Sequence, residues 1–430
     1  MTAIDFDIIV AGAGPAGLAT ALALAGEGFS TVLIGTADAP HDGRTVALLD
    51  GSVRYLTAIG AWERIATDAA PMRLMRLIDA TDNLFRPPPV EFSSREIGLE
   101  AFGHNIENVK LVAHLAALAA ARPGLTLFPR KVAGFFADAQ AATVTLDDGS
   151  RLTTRLAVGA EGRHSPLRRA AGIGTKTWAY PQTAVTAILS HTRDHTNAST
   201  EFHTRAGPFT LVPLPGRRSS LVWANRPEEA ARLAGLDDAA FARAVEERAL
   251  HLLGAMQVAG PRGAVPLSGL SAERSTGQRL ALVGEAAHVF PPIGAQGLNL
   301  GLRDGAALRD ALVDARAAGH DIGSAQALDG FGRGRAADTL LRTNAIDLLN
   351  RTLLADVLPA NWLRGAGLLA LGLLGPLRRA VMREGLTPGI GTPRQMRRDN
   401  RKKSTETHDR AGAARAEVVS GALDHNRNQA

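Results

Sequence analysis

Three glycine-centred segments carry the residue types on which nucleotide chemistry could rest. Gly12-Ala13-Gly14-Pro15-Ala16-Gly17 follows a β-branched apolar run, Phe6 to Ala11, and opens an Ala- and Leu-rich stretch from Ala16 to Ala25. Between a strand and a helix, that spacing suits a dinucleotide. The first glycine permits the tight turn, the second lets the backbone approach a pyrophosphate, and the third lets helix and strand pack, while the helix N-terminus holds the phosphate charge. A second segment runs from Val283-Gly284-Glu285-Ala286-Ala287-His288 through Pro291-Pro292-Ile293-Gly294-Ala295-Gln296-Gly297-Leu298-Asn299-Leu300-Gly301. A strand ending in glycine, then an acid, then a glycine-rich loop opening a helix exposes further amides to an anion. The third, Val158-Gly159-Ala160-Glu161-Gly162-Arg163-His164-Ser165, repeats the order strand, glycine, acid, glycine.

The 430 residues contain no cysteine, which removes disulfides, thiolate zinc sites, iron–sulfur clusters and redox thiol pairs. Any redox chemistry therefore needs a bound cofactor. Apolar residues at 45% and charged residues at 21% are near globular averages, so the chain can bury a core, and its length suits two or three lobes. The net charge of +6 is concentrated at the end: from Arg394 onward nine Lys/Arg face five Asp/Glu. That run, with Arg397, Arg398, Arg401, Lys402 and Lys403, reads as a solvated tail. It has no aromatic residue on which a base could stack, so no nucleic acid partner is expected.

The positioning elements follow from the pattern. Phe6–Ala11, the helix over 16–25 and the strand over Ser30–Ile34 make a βαβ unit. Further strands are expected at Thr143–Leu146, Leu156–Val158, Val185–Leu189, Thr210–Val212, Ser220–Trp223 and Leu280–Val283. The strand-rich stretch over 181–225 suggests a mainly antiparallel lobe inserted in the first, and the pattern is helical from Ala325 to about Glu384. The fold class is α/β: a Rossmann-like domain over 1–75, 105–180 and 272–330, an inserted sheet domain over 76–104 and 181–271, a C-terminal helical segment over 331–385, and a basic tail over 386–430.

Together the three segments resemble the class A flavin monooxygenases and, within them, the ubiquinone-biosynthesis hydroxylases. The family's marks stand here in order, with Glu161 and Glu285 where the wider superfamily more often has Asp. Asp42-Gly43-Arg44-Thr45-Val46-Ala47-Leu48-Leu49 with Ser52 and Leu56, Glu96-Ile97-Gly98, and Phe102-Gly103-His104-Asn105-Ile106-Glu107-Asn108 also look like the ubiquinone branch. The resemblance covers about residues 5 to 385 and implies a para-hydroxybenzoate-hydroxylase-like fold holding FAD, with NAD(P)H as transient co-substrate. It implies hydroxylation of the ring of a polyprenylated phenol, with reduced FAD activating dioxygen. The cofactor then carries the hard step and the protein supplies a dry pocket.

Carried over by position, the resemblance puts the FAD pyrophosphate at Gly12, Gly14, Ala16 and Gly17, the adenosine side at Arg44 and at the Val132 backbone, and the ribityl or pyrophosphate region at Gly284 and Glu285. The amides of Gly297, Leu298 and Asn299 would face the isoalloxazine, Pro292 would lie over it, and Glu161 and Gly162 would serve FAD and the nicotinamide. Pro213, Leu214 and Pro292 would border the substrate. Gly35 stands where the family has an acid, leaving the ribose to Asp38 or to solvent.

Other residues invite blander readings. His288 is expected to be a hydrogen-bonded structural histidine rather than a proton relay. His191 and His195 lie in a strand and loop without a third ligand, so no metal is expected. Trp62, Trp178, Trp223 and Trp362 are expected to pack. Leu363–Met382, Leu-rich and flanked by Arg364, Arg378 and Arg379, reads either as an interfacial helix or as a core helix. The longest uncharged stretch, Gly365–Leu377, has 13 residues, short of the roughly 20 that span a bilayer. Without a basic and apolar leader the expectation is a cytoplasmic protein, peripheral at the inner face of the membrane, in contact with a ubiquinone-biosynthesis complex. The alternatives are a hydroxylase of a soluble small aromatic compound and a catalytically silent FAD-binding scaffold of that complex.

Overall fold

Ile, Val and Ala fill the buried positions Ile8–Ala11 of strand Phe6–Ala11, and such a run is stable only where both sheet faces are covered. The computed structural model of the chain describes residues 3–81, 88–204, 206–291, 296–338, 375–386 and 391–398. In it Phe6–Ala11 is a central strand of a sheet ordered Thr276–Gly277, Leu280–Leu282, Arg151–Gly159, Phe6–Ala11, Thr31–Ile34, Leu125–Phe128. The pairs from Leu280–Leu282 to Leu125–Phe128 are all parallel. Val132–Ala137 and Ala142–Leu146 form an antiparallel ladder on Arg151–Gly159. Helices Pro15–Gly26, Asn108–Ala120 and Gln296–Ala317 cover one face, closing a core around Leu18, Leu22, Tyr55, Leu115 and Leu308.

A second, nine-stranded sheet is ordered His288–Val289, Gly263–Ala272, Thr175–His191, Arg218–Asn225, Gly207–Leu214, Ala198–Thr204, Leu74–Asp79, Val90–Ser93, with Met256–Val258 beside Thr175–His191. Alternation sends Val185, Phe202, Phe209, Leu221 and Trp223 to one face. There the helices Pro227–Ala234 and Asp238–Arg248 bury them with Leu233, Phe241 and Val245. Phe209 meets Phe202 and Trp223 edge to face, with ring centres 5.4 and 5.2 Å away. Between the sheets lies a three-stranded sheet of Thr45–Leu49, Gly103–Glu107 and Ala70–Met72 that the sequence reading does not contain.

The long strand departs from expectation. Thr175–His191 is one 17-residue element, so the boundary expected at 180 falls inside it. Its two halves share the partner Gly263–Ala272, with a register shift between Ala179 and Thr183 where Pro181 interrupts the pattern. Leu74 and Met75 also belong to the second sheet, before the boundary expected at 76.

The region after 386 needs a larger correction. Arg394, read as the start of a solvated tail, opens a short 3-10 turn, Arg394–Met396. Its backbone N–H donates to Asp310 Oδ2 at 2.7 Å, its guanidinium reaches Asp314 at 2.8 Å, and Met396 is buried in the main core. A buried methionine and two carboxylates on one helix outweigh the local charge pattern. Residues 1–396 form one compact unit; of the other, 397–430, only Arg397 and Arg398 are described. Helix Gly375–Leu386 sets Met382 among Val90, Phe92, Ile97, Leu99 and Phe102, and Arg378 pairs with Glu96 at 2.7 Å. Most of Leu363–Met382, with Trp362, lies outside the described residues. No helix among those described is long and apolar enough to cross a membrane.

Candidate cofactor and substrate site

Parallel strands deliver their carboxyl ends to one edge of a sheet, where loops expose amides to a ligand. Here four adjacent strands do so: Phe6–Ala11 ends at Gly12, Thr31–Ile34 at Gly35, Arg151–Gly159 at Ala160 and Leu280–Leu282 at Val283. The backbone stitches these ends together, with Gly12 N–H to Ile34 O at 2.7 Å, Ala160 N–H to Ala11 O at 2.7 Å and Val283 N–H to Gly159 O at 2.9 Å.

The glycines of the first segment differ in what requires them. Gly12 has φ +104°, and a Cβ there would lie 2.3 Å from Ala160 O; at Gly17 it would lie 1.9 Å from Gly12 O. The fold itself demands both. Gly14 has φ −73° and, among the described residues, no atom within 4 Å of a built Cβ, so none of them requires glycine at that position. Gly297, in the first turn of helix Gln296–Ala317, likewise has no described atom within 4 Å of a built Cβ. Both open glycines stand at the first turns of the described helices at the same sheet edge. Gly284 and Gly301 press against Ala16, where added Cβ atoms would come within 3.1 and 3.3 Å of the alanine Cβ, so the two helix starts are held side by side.

The acids divide likewise. Glu285 is exposed, with Oε2 4.0 Å from where a Gly162 Cβ would stand. Glu161 is engaged within the protein: Oε2 accepts from Ser165 Oγ at 2.7 Å and Oε1 from Leu167 N–H at 3.2 Å. Burial raises its pKa against the lowering by those two donors. Its carboxylate pins the loop and the N-terminus of helix Pro166–Ala170.

Asn299 acts through its side chain, with Oδ1 accepting from Leu49 N–H at 2.9 Å and Nδ2 donating to Ala47 O at 2.7 Å. It ties the helix start to the three-stranded sheet. Gly35 has φ +140°, and a Cβ there would lie 2.8 Å from Ala13 N. An acid at this position would strain the backbone under the glycine loop, which accounts for its absence. Asp38 is exposed.

Arg44 is exposed, with Nε 2.7 Å from Asp42 Oδ2. It sits where the sheets meet, because Asp42 O accepts from Thr186 Oγ1 at 2.8 Å. Val132 begins its strand on the side ladder and packs against the core cluster that holds Ala11, Ile34 and Ala286. Pro213 and Leu214 are buried in the second sheet, their carbonyls accepting from Asn105 Nδ2 and His195 Nε2, each at 3.0 Å. Pro292 lies outside the described residues. His191 bonds Arg193 O and Ser219 Oγ, and Trp178 Nε1 donates to Tyr180.

Two arrangements escaped sequence reasoning. Buried Arg168 donates to Ala286 O and Arg163 O, each at 2.7 Å, clamping the middle segment to the Gly284–Ala286 turn. Buried Asp304 accepts from His288 Nε2 at 2.6 Å, Gly284 N–H at 2.9 Å and Arg335 Nε at 2.6 Å. Burial pushes the Asp304 carboxyl up, but the His288 and Arg335 charges and the Gly284 N–H outweigh it and hold its pKa below the ordinary value. Asp304 could have been found as the last position of Gln296-Gly-x-Asn-x-Gly-x-x-Asp304; Arg168 and Arg335 carry no such signal.

Two helix N-terminal turns and an open edge over adjacent parallel strands define a dinucleotide site facing a second sheet. Residues 5–329 match the FAD binding domain family, and the chain belongs to it. It is an FAD-dependent monooxygenase. It is 35% identical over 401 residues to ubiquinone hydroxylase UbiL of Rhodospirillum rubrum, covering 91% of this chain and 92% of the relative. It is 30% identical to 3-demethoxyubiquinol 3-hydroxylase of Escherichia coli, covering 90% and 100%. The fold is that of p-nitrophenol 4-monooxygenase PnpA from Pseudomonas putida, with TM-score 0.74, 19% identity and coverage of 91% and 100%.

Proposed function

We propose that the chain hydroxylates the aromatic ring of a polyprenylated phenol on the route to ubiquinone, using FAD, NAD(P)H and dioxygen. The observation that carries it is the pair of open glycines, Gly14 and Gly297, at abutting helix starts in a chain whose relatives are ubiquinone hydroxylases over nearly their whole length. In this reading the Gly12–Gly17 loop holds the pyrophosphate, Glu285 the adjoining polyol, and Arg44 and the Val132 backbone the adenosine side. The Gly297, Leu298 and Asn299 amides face the isoalloxazine, whose oxygen chemistry the cofactor supplies. Glu161 and Arg168 shape the middle loop. Pro213 and Leu214 border the substrate with the second sheet, which excludes water. Gly35 follows from backbone geometry, so it gives no support to a silent scaffold.

A polyprenyl substrate resides in the bilayer, so the protein would meet it from the membrane surface. Helix Gly375–Leu386, with Arg379 and Arg383 beside the buried Met382, supports a peripheral seat on anionic lipid. The test is deletion of the gene in its native cell with quinone-precursor analysis, beside an absorbance spectrum of the purified protein. A flavin spectrum with one under-hydroxylated prenylphenol accumulating is expected. Unchanged precursors in the deletion strain, or a folded protein free of flavin, would overturn the proposal.

A further inference from the structure

Residues that pair across strands share a sheet face. Leu77, Glu201, Thr210, Val222 and Thr186 are successive cross-strand partners, so they form one row across the second sheet. Phe202, Phe209, Leu221 and Trp223 project to the other face, under the two helices. Thr186 shows where the first face looks, since its hydroxyl bonds Asp42 O beside Arg44. In the next row Ser220 Oγ meets Thr45 Oγ1 at 2.8 Å and Asn105 Nδ2 at 3.1 Å. The row therefore lies on the face turned towards the flavin-binding layer.

On that face a carboxylate and an imidazole stand together. Glu201 Oε1 is 2.8 Å from His203 Nε2, and Oε2 takes a longer contact from Thr210 Oγ1 at 3.5 Å. The side chains are 25% and 11% exposed, so they sit in a partly covered place rather than on open surface. A carboxylate only accepts, so Nε2 carries the ring proton and Nδ1 presents a lone pair. Among the described residues no partner takes that Nδ1. A carboxylate that orients an imidazole with one nitrogen left over has the form of a general base. The other charged groups nearby are engaged: Asp79, beside His203, accepts from Thr81 N–H and Oγ1, and Arg76 pairs with Glu91 on the opposite face. Strand Gly207–Leu214 brings no titratable side chain.

We infer that His203, oriented by Glu201, is the base that accepts the phenolic proton of the ring being hydroxylated. This rests on the hydroxylase reading above. The phenol O–H bond breaks, its proton goes to His203 Nδ1, and the electron pair stays on oxygen, raising electron density at the ortho and para carbons. The imidazolium is held by Glu201. One atom of dioxygen enters a ring C–H bond and the other leaves as water, with two electrons from the nicotinamide. His203 returns its proton as the hydroxylated phenol leaves, so it is not consumed.

The test uses full-length holoenzyme with two probes, a phenol and a 4-nitrophenol each bearing one isoprene unit. Wild type is expected to bind the nitrophenol with a phenolate spectrum below the pH at which it ionises in water, and His203→Gln to bind it neutral. His203→Gln should lower the rate of hydroxylated product by about 100-fold with little change in KM, and abolish the acid limb of the pH–rate profile. Glu201→Gln should also lower the rate of hydroxylated product and leave the bound nitrophenol neutral, because the imidazolium loses its counter-charge; it carries the test if His203→Gln loses its flavin. No phenol-stimulated NAD(P)H oxidation in wild type would bring down the hydroxylase reading and this assignment together. Wild-type stimulation with product rate, acid limb and bound phenolate all retained in both variants would overturn the His203 assignment alone.

Discussion

Gly14→Val separates the cofactor reading from the fold. No described residue comes within 4 Å of this Cβ and φ is −73°, which any L-residue adopts, so the substitution introduces no clash with the described residues. Losing glycine restricts the unfolded chain, which stabilises the fold by roughly 0.4–1 kcal/mol, while valine is a poorer N-cap than glycine by a similar amount. The two nearly cancel, so the apo-protein's stability should stay within about 1 kcal/mol of wild-type apo-protein. FAD should nevertheless be lost, because two methyl groups would occupy the approach to the amides of the Pro15–Gly26 helix start. Gly12→Val makes the contrast: positive φ costs about 1–3 kcal/mol and the contact with Ala160 O about as much again, so the apo-fold itself should be damaged. The assay is flavin absorbance per protein after gel filtration, together with urea unfolding of both apo-proteins. Full flavin content in Gly14→Val would refute the pyrophosphate site, and an apo-protein several kcal/mol weaker would refute the claim that Gly14 is open for a ligand.

Asp304→Asn should cost about 1.5–3 kcal/mol in urea unfolding, because buried Arg335 loses one of its two carboxylate partners and keeps only Asp338; a loss under about 1 kcal/mol would contradict that. The folded Asp304 pKa lies below its unfolded value, so its contribution is complete above the unfolded pKa of about 3.9 and disappears as pH falls through the folded one. Stability measured against pH should accordingly show a shallower acid limb in Asp304→Asn. Asn299→Ala should cost about 1–3 kcal/mol, since Leu49 N–H and Ala47 O both lose their partner, and should weaken FAD binding in a fluorescence titration. Met396→Ala should destabilise by about 2 kcal/mol, whereas Arg394→Ala, with a half-exposed ion pair, should cost under about 1 kcal/mol; equal losses in thermal melts would refute the docking of this turn.

Much of the candidate site was legible because its residues are contiguous. Gly12, Gly14 and Gly17 stand in one short motif between a strand and a helix, and Phe6–Ala11 shows its burial in its own composition. Asp304 was within reach of the same reading, since it closes the run beginning at Gln296. Arg168 was not, because its partner carbonyls at Arg163 and Ala286 are ordinary backbone groups brought near only by folding. The docking of Arg394 was hidden for a related reason: a run of basic residues looks the same whether it faces water or two aspartates on a helix.

The chain's own sequence determined where the turns, helix starts and buried strands fall, because glycine tolerance, capping and apolar alternation are local properties of the backbone. Glu201 and His203 stand two residues apart in the chain, though the strand that sets them on one face, Ala198–Thr204, was not among those expected. Only the tertiary structure decided which face that was, and which glycines were needed by the fold and which were left open. Those outcomes depend on strand order, register and long-range backbone approach, and a residue's neighbours in space are settled by the chain as a whole.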